Sequence, residues 1–187
     1  MTSLLRALRL TLALWLLTVV VITGPLLGMA RLVAPERAAG SLLRHQGRVV
    51  GSSLIGQPFE SPRYLRGRPS AVDAATGPTP ISGASNLSVA NPQLRDQVQA
   101  RFKAWQRHGV ARPAADLLTS SGSGLDPHIS LEAALQQAPA IAQARGLPEA
   151  VVEARLRACA RFARAGWPLQ PLVAVLPCNL ALDQGEP

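Results

Sequence analysis

Hydrophobic and polar positions are divided very unevenly along this chain. Residues 10–30, LTLALWLLTVVVITGPLLGMA, carry no charge, and Arg9 and Arg31 bracket them. As a helix rising about 1.5 Å per residue the stretch spans roughly 31 Å. That length matches a bilayer hydrocarbon core of ~30 Å. The pattern predicts a short tail over 1–9, a transmembrane anchor over 10–30 and a soluble domain over 34–187. A cleaved signal peptide is the rival reading, with Gly28-Met29-Ala30 as its cleavage site, but the apolar part of such a peptide runs only ~7–15 residues.

Downstream the pattern changes twice. Between 34 and 91 glycine and proline recur too often for long helices. Arg48–Ile55 alternates as a strand does, and 73–82, DAATGPTPIS, predicts a loop. Three helices follow. Asn91 caps the first, with Pro92 in its first turn; Leu94, Val98, Phe102 and Trp105 then recur on one face to about His108. Ser130 caps the second, which runs through Ala144, is interrupted at Pro139 and is ended by Gly146. The third spans Pro148 to about Arg164, with Val152, Leu156, Cys159 and Phe162–Ala163 inward, and Gly166 closes it. Trp105 and Leu156 are core residues in this reading. The last apolar segment, Leu172–Leu176 and Asn179–Leu182, predicts a strand broken at Pro177, because proline cannot donate to a ladder. Helices and short strands in separate runs predict an α+β fold.

Charge narrows the partners. The formal net charge is +8, and Lys103 is the sole lysine. A basic surface suits lipid headgroups, an acidic partner or nucleic acid. The arginines are scattered, however, with Arg63, Arg66 and Arg68 the tightest group, and aromatics for base stacking are scarce, so no nucleic-acid binding is expected. Arg6 and Arg9 before the apolar run, against Arg31, Arg37, Arg44 and Arg48 after it, leave orientation open, because a long following domain weakens the charge rule. Cys159 and Cys178 are free to pair in an oxidising compartment, but sequence alone does not decide it. There is no CxxC, and His45, His108 and His128 lack ligand spacing, so no metal site is predicted.

The most pointed soluble segment is TSSGSGLDPHIS, residues 119–130. It gathers Ser121, Asp126 and His128, which suggests a membrane-anchored hydrolase. Triad members normally converge from separate segments, though, and no G-x-S-x-G is present. The same residues read as a Gly-Ser turn through Gly122 and Gly124, an Asp-Pro turn and a helix cap at Ser130. A phosphate cradle is weakly supported, since no G-x-x-x-x-G-K-[ST] exists. Two further glycine-punctuated segments, Gly51-Ser52 to Gly56-Gln57 and Gly67-Arg68-Pro69-Ser70, are candidate turns; the Gln57 amide both donates and accepts.

Taken in order, these segments resemble the C subunit of the Kdp-type high-affinity potassium-transporting P-type ATPase. The resemblance rests on Thr23-Gly24-Pro25-Leu26-Leu27, Gly40-Ser41-Leu42, GSSLIGQPF (51–59), GRPSA (67–71), SGASNL (82–87, with Ser85 and Asn86), Asn91-Pro92, SGSGLDPHIS (121–130), ARGL (144–147) and NLALD (179–183, with Asn179). It covers Leu4 to Asp183. Departures include Gly24 before Pro25, Leu65-Arg66, Ala84, Ala158-Cys159-Ala160 and Pro177-Cys178. The resemblance implies a non-pumping accessory subunit that assists assembly and raises the ATP affinity of the pump subunit. It implies three partners in the membrane: a channel-like potassium-selecting subunit, a P-type ATPase subunit and a small single-span subunit. It places the soluble α+β domain outside the cytoplasm of a bacterial inner membrane, with the 1–9 tail inside. The family's glutamine corresponds to Gln57, the one candidate here for contact with ATP; a domain outside the cytoplasm argues against that contact. The remaining quoted glycines, Ser52, Ser70, Ser85, Asn86, Ser121, Asp126, His128 and Asn179 are expected to build or dock rather than catalyse.

Overall fold

A single helical run forms the N-terminal part. The structure is a computed structural model and describes residues 2–73, 81–162 and 170–184. The chain divides into two units, Met1–Leu42 and Leu43–Pro187. In the first, α1 (Thr2–Thr18) passes through a π-helical turn (Val19–Thr23) into α2 (Gly24–Val33). Pro25 explains the turn. It has no N–H, and its ring crowds the carbonyl four residues earlier. The helix widens there, and the Gly24 N–H reaches back to the Val19 carbonyl. Side chains from 3 to 33 are all exposed, and Ser3–Val33 is long and apolar enough to cross a membrane. The short α3 (Pro35–Ala38) follows.

From the last residue of the first unit the chain enters a hairpin, β1 (Leu42–His45) and β2 (Arg48–Ser52). Gln46 and Gly47 both have positive φ, 50° and 79°, as a two-residue type I′ turn requires. The strand expected over Arg48–Ile55 thus ends at Ser52. No long helix occurs among the described residues between 34 and 91. The expected loop at 73–82 lies mostly outside the described residues.

The predicted helices are present with adjusted ends. α4 (Pro92–Arg107) starts where the Asn91 side chain accepts the Gln93 N–H. Leu94, Val98, Phe102 and Trp105 are half-buried on one face. After the short α5 (Ala115–Leu118), Ser130 caps α6 (Leu131–Leu135) by accepting the Ala133 N–H at 3.0 Å. The helix breaks at Gln136-Gln137 and resumes as α7 (Ala138–Arg145), with Pro139 in its first turn and left-handed Gly146 (φ 66°) ending it. α8 (Glu149–Cys159) stops earlier than expected. Ala160–Arg161 forms the short strand β4 instead, and Phe162 is exposed rather than inward; Ala163, Arg164 and Gly166 lie outside the described residues.

The main correction concerns the C-terminal segment. Only β5 (Leu172–Ala174) is a strand, and Val175–Gln184 is a helix, α9. Pro177 is the third residue of α9. There its missing N–H costs nothing, because the first four amides of a helix have no intrahelical partner. β5 is the centre of a three-stranded antiparallel sheet of order β3-β5-β4, where β3 is His128–Ser130. Ile129 and Ala160 both register with Val173. Leu65, Leu117, Ile129, Ala133, Ala134, Ile141, Val152, Leu156, Val173 and Leu182 form the core, with Trp105 half-buried against it. Cys159 and Cys178 are joined by a disulfide, linking the end of α8 to α9. The described residues therefore form an α+β domain behind an N-terminal apolar helix.

Candidate functional site

Segments far apart in sequence meet at one cleft of about 350 Å³ in the second unit. Its walls include Gly56 and Gln57, Gly67 to Ser70, Ser121, Gly124 and Asp126, with Val175 from α9 behind them. The 121–126 turn is the hub. Ser121 Oγ accepts the amides of Ser123, Gly124 and Asp126 at 3.3, 3.1 and 3.4 Å. Outward from the turn, the Ser121 N–H donates to the Pro69 carbonyl, and the Gly56 and Gly83 N–H groups donate to the carbonyls of Leu125 and Ser123. One turn thus ties down three other loops through their backbones.

Close backbone approach explains two of the glycines. A Cβ on Gly56 would lie 2.5 Å from the Asp126 carbonyl oxygen. Gly124 has φ 71°, and a Cβ there would meet Val72, Ser70 Oγ and the Gly83 oxygen within 2.9 Å. A Cβ on Gly51 would collide with Gln57 Oε1. Gln57 is packed behind the hairpin: Nε2 donates to the Val50 carbonyl at 3.2 Å, and Oε1 is buried without a hydrogen-bond partner.

Arg66, Arg68, Asp73 and Asp126 are the charged residues of the cleft wall, and a chain of three side chains runs from Arg68 through Asp126 to His128 beside it. Arg68 donates to Asp126 Oδ2 at 3.2 Å and to the Ser120 carbonyl at 3.3 Å. Asp126 Oδ1 accepts the His128 backbone N–H at 3.0 Å and lies 3.5 Å from His128 Nδ1. The His128 contact, helped by its backbone N–H and by Arg68 and opposed by burial, holds the Asp126 carboxyl below its ordinary value. The arginine is neutralised by its partner. Among the described residues, the ring of His128 has Asp126 as its polar contact. The nearby Ser130 hydroxyl is turned away, donating to Asp116 and accepting from Ala133. The nucleophile–base contact that a serine hydrolase needs is not formed by Ser121, Asp126 and His128.

The other expected residues fall outside the cleft wall. Ser52 Oγ accepts the Leu54 N–H in the turn after β2. Gly122 faces open space. Ser85 is half-buried, and Asn86 is exposed with φ 51°. Asn179 is 1% exposed in the core, where it works with a residue the sequence did not reveal. Its Oδ1 accepts the Leu65 N–H at 2.8 Å, and its Nδ2 donates to the Leu65 carbonyl at 3.0 Å. Gln137 does the same for Arg66, at 2.9 and 3.1 Å. Arg145, also buried, donates to the carbonyls of Arg63 and Leu182 and to Asp183 Oδ1 at 2.8 Å. Residues 63–66 are thereby held by side chains of helices. The only sequence signal for Gln137 was its place just before Pro139, where a helix must restart.

Comparison with known proteins follows the same boundaries. The family model described as KdpC, K+-transporting ATPase, c chain, matches residues 4–184. The potassium-transporting ATPase KdpC subunit of Cereibacter sphaeroides (strain KD131) is 48% identical over 183 residues, covering 98% of this chain and 97% of the relative. That of Methylibium petroleiphilum is 48% identical over 195 residues, with full coverage of both chains. That of Synechocystis sp. is 43% identical over 182 residues, covering 95% of each.

Proposed function

This chain belongs to the KdpC family, the c chain of the K+-transporting ATPase, and we propose that it works there as a non-pumping accessory subunit. The observation that carries this reading is the family match across residues 4–184. Residues 10–30, within the apolar helix Ser3–Val33, serve as an uncleaved anchor in a bacterial inner membrane, with 1–9 in the cytoplasm and the second unit outside it. The cleft and its hub turn form a docking surface for the channel-like potassium-selecting subunit, and the P-type ATPase subunit and the small single-span subunit complete the complex. The chain assists assembly and raises the ATP affinity of the pump subunit from a distance. Two facts favour an indirect effect. The Gln57 amide is engaged or buried, and both arginines of the cleft wall are engaged, Arg68 with Asp126 and Arg66 with the Glu60 carbonyl.

The test is purification of the tagged full chain in mild detergent from cells expressing all the subunits of the complex. The three partners are expected to copurify, with potassium-stimulated ATP hydrolysis that falls at least tenfold when this chain is omitted. Full activity without it would overturn the proposal. So would turnover of ester or peptide substrates by the purified chain alone, which would favour the hydrolase reading.

A further inference from the structure

The disulfide stands apart from the cleft, and its two sulfurs are in unequal surroundings. Cys178 is 1% exposed, inside the core, whereas Cys159 is only partly buried. An open depression on the surface of the second unit is lined by both cysteines, with Arg155, Arg161, Ala158 and Pro177 around them, and Cys159 is the more exposed of the two. Arg161 donates to the Ala158 and Ala160 carbonyls at the end of α8, and Arg155 to the Leu182 carbonyl of α9, so both cations are fixed at this rim. A cationic rim around a reachable sulfur favours the approach and formation of thiolates. The buried sulfur belongs to α9, the helix that carries Asn179 and Val175.

We propose that Cys159 is the exchange sulfur of this chain, through which a thiol–disulfide oxidant of the exported compartment closes the Cys159–Cys178 bond, with Cys178 as the resolving thiol. The chemistry balances in two exchanges. The Cys159 thiolate attacks the oxidant's disulfide, forms a mixed disulfide and expels one oxidant thiolate. The Cys178 thiolate then attacks the Cys159 sulfur and expels the second. The chain loses two electrons and two protons overall, and the oxidant's disulfide becomes two thiols. The bond fastens α9 to α8, so closing it fixes the helix that both clamps Leu65 and backs the cleft. The inference rests on the proposed placement of the second unit outside the cytoplasm.

Membranes holding the tagged full chain are denatured and treated with a polyethylene-glycol maleimide before and after reduction. No addition before reduction and two after it are expected; two additions before reduction would overturn the bond. A phosphatase fusion at Pro187, read in the same cells, separates the two claims. Phosphatase activity together with free thiols sinks the disulfide and spares the topology, whereas an inactive fusion sinks the topology. For the order of attack, native Cys178→Ser protein is expected to form a mixed disulfide with oxidised glutathione at least tenfold faster than Cys159→Ser protein. Equal rates in the native state, with equal maleimide rates in denaturant as the control, would overturn the assignment of Cys159. If either serine variant misfolds, brief reduction of the unmodified protein followed by native maleimide labelling and peptide mapping gives the same answer. Label on Cys159 supports it, and label on Cys178 first overturns it.

Discussion

The two units solve opposite problems with similar residues. In the N-terminal unit, leucine and valine point outward along the whole of 3–33, and the backbone satisfies itself. Even Thr18 turns its hydroxyl back to the Leu14 carbonyl at 2.9 Å. In the second unit the same residue types point inward, and polar side chains are buried among them: Ser121, Ser130, Gln137, Arg145 and Asn179. A helix that satisfies its own backbone suits hydrocarbon, where no water can do so. A domain with long irregular stretches such as 53–70 has no ladder to satisfy its peptides. It recruits amides and guanidinium groups from its helices for that purpose.

Breaking the buried polar set should have the largest effect. Arg145→Met removes a fully buried guanidinium from Asp183 and from two carbonyls, and loss of one partner of a buried pair costs about 3–5 kcal/mol. Urea unfolding of the detergent-solubilised chain is expected to show that loss; a change under about 1 kcal/mol would mean the clamp is dispensable. Leu156→Ala tests the inward apolar face at 0% exposure, with an expected cost of about 2–5 kcal/mol. An unchanged melting curve would place that face outside the core.

On the other side of the comparison, Val20→Arg puts a charge in the middle of the apolar helix, at about 2.5–3.5 kcal/mol of insertion free energy. Carbonate extraction should release a larger share of the variant than of the unmodified chain. The same substitution should leave the unfolding of the second unit unchanged.

The smallest effect is acid sensitivity at the cleft. Asp126 is held below its ordinary value when folded. Its contribution is therefore complete above the unfolded pKa, near pH 4, and is lost as pH falls through the folded value. Asp126→Asn should lower stability at neutral pH, where that contribution is complete, and flatten the profile below about pH 4 so that the two proteins converge in acid; an equal slope in both proteins would assign the acid loss to other carboxylates.

Much of this was legible because it depends on local chemistry. Asn91 and Ser130 are caps, Pro139 forces a restart, Gly146 is left-handed, and the uncharged run from 10 to 30 reports its own length. The glycine-rich segments were recognisable as a set, but their convergence on one turn was not, since backbone-to-backbone bonds such as Gly56 to Leu125 carry no side-chain signature. α9 was misread for a physical reason. Its residues are apolar on nearly every side, and a short apolar run has no period to distinguish a buried helix from a buried strand. Pro177 looked like a broken strand because its position in the first helical turn depended on knowing where the helix began. Gln137 and Arg145 escaped notice because their partners, at 66 and 63, are 71 and 82 residues away.

The clamp on Leu65 and Arg66 also bears on how this sequence is free to vary. Asn179 and Gln137 read only the peptide groups of those two residues, and peptide groups are the same whatever side chain they carry. Position 66, whose own side chain reaches out to the Glu60 carbonyl, can drift without disturbing the grip. Positions 137 and 179 cannot, because only an amide of the right reach offers a donor and an acceptor side by side. The specification for a loop has thus been written into the helices that hold it, and divergence within the loop says little about whether its path has changed.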